Sequence, residues 1–159
     1  MVLTFNSVTG AVACGPVSVG CPTTGADGGN FGFAGTDISS PGSGLSAVQF
    51  TGRQMFLMGV FLTAATPSGA GPAAIVHSAA SVLETDFFPL IGQTFFVGDG
   101  LGTTGQQNFY VPAGATRLFL GFADGVPGFV GSPGAYGDNS GSLTVDFAEI
   151  GRASCRERV

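Results

Sequence analysis

Only 9% of the residues in this chain are charged, so the side chains equipped for chemistry are few and easily placed. Three of them, Asp124, Asp138 and Asp146, bracket the stretch GVPGFVGSPGAYG and the segment after it, and Asn139 directly follows Asp138. Carboxylates and carboxamides are hard oxygen donors, and glycines let backbone carbonyls turn inward. A loop of that kind can wrap a calcium ion, which takes roughly six to eight oxygens. The acid spacing is not that of an EF-hand. Asp-Asn-Ser-Gly is equally strong turn chemistry, so on these residues alone a plain turn and a hard-cation site are both open.

Other chemistries are poorly provided for. His77 is the one histidine and lies in an Ala-rich segment, so a Ser-His-Asp triad lacks a base in a suitable context; a packed or surface role is expected. GDNSG resembles a serine-protease nucleophile motif but is interrupted by Asn139. GADGGNFG lacks the strand-to-helix setting of a dinucleotide loop and reads as a turn. Asp124 and Asp138 could form a glycosidase pair, yet a small glycine-rich domain offers few other polar groups to hold a sugar for reaction. The expectation is a protein that is not an enzyme.

The elements that must position these residues are β-strands. The 159 residues suit one domain, with 28 Gly and 15 Phe but no Trp and no Lys. Apolar runs separated by Gly, Pro, Asn, Asp and Ser clusters predict an all-β, antiparallel sandwich or barrel. Strands are expected at Val2–Asn6, Val8–Cys14, FGFAG, AVQFTG, Met55–Thr63, TFFVGDG, QNFYVP, TRLFLGFAD and GSLTVDF; AAIVHSAASVLETDF fits a strand or a short helix. Alternation puts Leu118, Leu120 and Phe122 on one face, and Leu143, Val145 and Phe147 likewise, leaving Thr144 and Asp146 toward solvent. Asp146 is therefore expected to be a surface acid. The run Met55–Ala65 is too short to cross a bilayer as a helix, and no signal peptide is visible at MVLTFNSV.

The last eleven residues, EIGRASCRERV, change composition abruptly and hold Arg152, Arg156 and Arg158, three of five basic residues, together with Cys155. They resemble translated sequencing adapter, which predicts a domain over 1–148 and an artefactual tail over 149–159. Without the tail, two arginines stand against eight acids, a net charge of −6 against −5 for the whole chain. That balance offers no footprint for nucleic acid. Cys14 and Cys21, with six residues between them, fit either a small loop-closing disulfide or two buried thiols, and not a four-ligand zinc site.

The phrasing RLFLGFAD, VPG and AYGDNSGSLTV, densest over 111–145, resembles the C-terminal motif of the PA-IL type of bacterial calcium-dependent, galactose-binding lectin. GAVACGP at 10–16 is similar to that family's second calcium loop. The resemblance implies an antiparallel β-sandwich of jelly-roll or galactose-binding-domain type. It also implies a Ca2+ held by the side chains of Asp124, Asp138 and Asn139 with the backbone carbonyls of Ala135 and Cys14. There the ion, with Asp124, Asp138 and Asn139 around it, coordinates vicinal sugar hydroxyls directly, so the implied partner is a carbohydrate. The interval from Asp124 to Asp138 is longer than in that family, which predicts an inserted loop beside the sugar position. No counterpart of the family's sugar-contacting His and Gln lies between Asp37 and Gln54, so no particular sugar is implied. FFVGDG and VPAGATRLFLGFADG also resemble exported bacterial proteins with a C-terminal PEP-CTERM sorting segment, which implies a secreted or cell-surface location. The alternative is a structural surface or matrix domain whose calcium only ties loops together; a homo-oligomer is compatible with either.

Overall fold

The computed structural model describes residues 1–15, 21–126 and 128–150. It is an all-β sandwich, with 47% of the chain in strands. Strand β1 (Val2–Ala13) pairs along its whole length with β14 (Ser140–Ile150), and β10 (Asn108–Tyr110) and β6 (Asp86–Phe87) complete a sheet ordered β14-β1-β10-β6. Against it lies a sheet ordered β11-β4-β7, from β4 (Leu57–Leu62), β7 (Thr94–Phe96) and β11 (Arg117–Phe122). Leu3, Phe5, Phe87 and Phe109 from the first sheet meet Leu57, Phe61 and Phe95 from the second. Phe5, Phe95 and Phe109 are completely buried, each side chain contributing about 1.5–3 kcal/mol by leaving water.

A third sheet, ordered β12-β13-β2-β3-β5, contains β2 (Gly35–Ile38), β3 (Val48–Thr51), β5 (Val76–His77), β12 (Gly125–Val126) and β13 (Val130–Pro133). Its Ile38, Val48 and Phe50 pack with Phe56 and Phe96 in a second core. Phe95 and Phe96 thus face opposite sides of β7, as strand alternation requires. A small hairpin, β8 (Leu101–Gly102) with β9 (Gly105–Gln106), completes the described strands. Antiparallel pairing dominates, with short parallel contacts at β10/β6, β13/β2 and β3/β5.

The first two expected strands are one. An extra residue at Asn6, where the register shifts between Phe5 and Ser7, is absorbed as a β-bulge; no Pro or Asn-Gly pair turns the chain there. FGFAG is not a strand: it bends, and β2 begins at Gly35 and runs into the stretch expected as a loop. Pairing with β3 from Gly35↔Thr51 to Ile38↔Val48 overrides the weak local propensity of Gly-Thr-Asp. The ambiguous segment contains both kinds of structure, β5, a 3-10 turn at Ser81–Leu83, and β6. Buried Gln107 ties that turn down, donating to the carbonyls of Val82 and Glu84.

The β1/β14 ladder includes Val2↔Ile150 and Leu3↔Glu149, so pairing runs two residues past Ala148. Arg152, Cys155, Arg156 and Arg158 lie outside the described residues.

Candidate metal centre

Asp124 stands where β11 leaves its partner strand. The irregular end of that ladder, Ala123 N–H to the Phe56 carbonyl and Met55 N–H to the Ala123 carbonyl, carries Asp124 into the interior, where it is 2% exposed. One carboxylate oxygen, Oδ1, accepts from the Gly125 N–H at 2.8 Å. The other, Oδ2, is buried without a hydrogen-bond partner, and so is Oδ1 of Asn139. Burial raises the Asp124 pKa above the ordinary carboxylate value; the neighbouring Asn139 side chain and the Gly125 N–H oppose the rise, and the charge of Asp138 adds to it. Asp124, Asp138 and Asn139 therefore form one cluster, which contains two buried acceptor oxygens without hydrogen-bond partners. Leaving a buried polar atom unpaired costs about 1–3 kcal/mol, and a hard cation is the complement to such an arrangement.

Between Asp124 and Asp138 the described residues form a β-hairpin. β12 pairs with β13, and β13 continues onto β2 through Val130↔Asp37 and Gly131↔Ile38. The hairpin returns beside its origin, with Gly134 N–H directed at the Asp124 carbonyl at 3.5 Å. Ala135 then adopts φ 63°, a left-handed conformation that costs a non-glycine residue roughly 1–2 kcal/mol. Its carbonyl accepts from the Asp138 N–H at 3.4 Å, so the segment forms a turn beside the cluster, and the carbonyl retains a second lone pair.

Cys14 arrives from the opposite end of the chain. The β1/β14 register ends at Ala13↔Ser140, and the next residue on each strand is Cys14 and Asn139. Cys14 is disulfide-bonded to Cys21, with Cα atoms 5.3 Å apart, which resolves the two alternatives left open by spacing. Both cysteines lie in a third core with Val12, Met55 and Phe129, directly under the site; Phe31, Phe122 and Leu143 pack on it.

Asp146 is exposed on β14 opposite Ser7, away from the cluster, as its place in the alternation requires. Tyr136, half exposed, was not legible as a neighbour of the cluster: its pKa is raised first by burial and then by the charge of Asp124. Its place between Ala135 and Asp138 is the one signal in the sequence. Phe129, with φ 69°, is a second unforeseen neighbour. His77 is buried among Phe50, Phe56 and Phe96, accepting from the Phe96 N–H through Nε2. Among the described residues no three His, Cys, Asp or Glu side chains gather as a metal-binding group; the corner combines two carboxylates with a carboxamide and carbonyls. No helix among the described residues is long and apolar enough to cross a membrane. Comparison with protein-family models, with curated proteins and with solved structures finds no match to this chain.

Proposed function

We propose that the chain is a calcium-dependent carbohydrate-binding module without catalytic activity. The observation that carries the reading is the pair of buried, donorless oxygens, Asp124 Oδ2 and Asn139 Oδ1, in a cluster with Asp138. Asp124, Asp138 and Asn139 would hold the ion with carbonyl oxygens of Ala135 and Cys14. The residues divide the labour: Asp124 is deep and anchors from below, while Asp138 is exposed and borders the solvent side. Bound calcium supplies coordination positions that paired sugar hydroxyls can take in place of water. The β12–β13 hairpin stands beside that opening and is the element to select among sugars, since loop variation is where specificity resides. The disulfide supports an oxidising, secreted or cell-surface setting.

The deep burial of Asp124 favours a second reading, a calcium that only fastens the hairpin to β1 and β14 in a structural surface domain. A glycan array probed with calcium and with EGTA separates the two. The lectin reading expects calcium-dependent signals that Asp138→Asn abolishes; calcium-stabilised protein with no glycan signal on any spot would support the structural reading instead.

A further inference from the structure

The outer face of the β14-β1-β10-β6 sheet carries an exposed aromatic pair that the calcium corner does not use. Phe88, immediately after β6, is 69% exposed, and Tyr110 on β10 is 37% exposed. Their rings stack with centroids 4.4 Å apart and planes 16° from parallel. Tyr110 thus backs one face of the Phe88 ring and fixes its orientation. β6 is the edge strand, so the other face of Phe88 opens to solvent. A second pair lies on the same face two residues back along both strands, about 7 Å away at strand rise: Asn108 Nδ2 donates to Asp86 Oδ1 at 2.9 Å, at an exposed position. The bond fixes the carboxylate and leaves its second oxygen, with the rest of the carboxamide, for a ligand.

We infer that this face is a second saccharide-binding site, independent of metal, taking a neutral glycan. One sugar unit lays its C–H face on Phe88, and the adjoining unit hydrogen-bonds through its hydroxyls to Asp86 and Asn108. Aromatic rings offer large, rigid contact area at low entropy cost, and a planar acid–amide pair both accepts from and donates to hydroxyls. The Asp86 carboxylate and the net charge of −5 disfavour anionic glycans. The inference does not rest on the calcium reading, because no residue is shared.

The test is titration of the full chain in EGTA with soluble, neutral β-1,4-linked hexasaccharides of glucose, mannose and N-acetylglucosamine, followed by NMR shifts of the Phe88 and Tyr110 rings. At least one is expected to bind, with affinity falling about tenfold or more in Phe88→Ala and kept in Phe88→Tyr. Asp124→Asn, which disables the calcium corner, is expected to leave this binding unchanged. The inference is overturned if none of the three binds in EGTA, or if Phe88→Ala binds as wild type. It is equally overturned if wild type is a dimer that Phe88→Ala converts to monomer, since a second copy would then cover the face. Because Phe88 is largely exposed, an unchanged circular dichroism spectrum is expected for the alanine variant.

Discussion

His77 shows how much one side chain can matter without touching a ligand. Burial pulls its pKa from 6.5 down to about 4, so it is neutral in the native state and charged in the unfolded state over the interval between. The unfolded chain binds more protons there, and stability is lost as pH falls from about 6.5 to about 4, by about 3 kcal/mol in total. Asp27 and Asp124 act in the opposite sense, since burial raises both and their contribution grows on acidification. Urea unfolding at pH 7 and pH 4.5 should show a large acid loss for wild type and a much smaller one for His77→Gln, which keeps an acceptor for the Phe96 N–H. Equal losses in both proteins would remove the imidazole as the cause. At Ala135 the φ of 63° makes a separate prediction. Ala135→Gly should stabilise the chain by about 0.5–1 kcal/mol and leave calcium affinity intact, because the proposed ligand there is a backbone carbonyl. A loss of calcium binding in that variant would show that the Cβ or the strained backbone is itself needed.

At the scale of elements, alternation made β11 and β14 legible and a continuous apolar run made β4 legible; Leu118, Leu120, Leu143 and Val145 pack on the core as that pattern records, whereas Phe147, expected beside them, is 48% exposed. Asp146 could be dismissed as a ligand on the same ground. β2 and the β12–β13 hairpin were hidden, since Gly, Asp and Pro interrupt the β-formers of Gly35–Ile38 and Gly125–Pro133, and pairing with strands far away in sequence holds them. The candidate cluster was legible only as residue types in a loop; that Asp124 is buried while Asp138 is exposed follows from the hairpin's return, which no local pattern encodes. The Cys14–Cys21 bond closes a short loop on the third core, and loop-closure entropy assigns it about 2.5 kcal/mol. A Cys14→Ser, Cys21→Ser double variant should lose stability of that order in urea unfolding. Because Cys14 borders Asn139, calcium affinity should fall as well, and unchanged affinity would show that the N-terminal loop contributes no ligand.

For the whole molecule, the candidate corner is where the three larger sheets meet. Asp124 follows β11 of one sheet, Asn139 precedes β14 of another, and the hairpin between them is joined to the third. An ion held there would cross-link the sheets and relieve two buried, unpaired oxygens, so binding should couple to global stability. The most direct measurement is thermal unfolding of the chain in millimolar calcium and in EGTA, for wild type and Asp124→Asn. A ligand at about a hundred times its Kd adds about 2.7 kcal/mol, which for a domain of this size corresponds to a rise in Tm of about 5–10 °C. Wild type should show that rise and Asp124→Asn should not. The same Tm for wild type in calcium and in EGTA would contradict the metal centre.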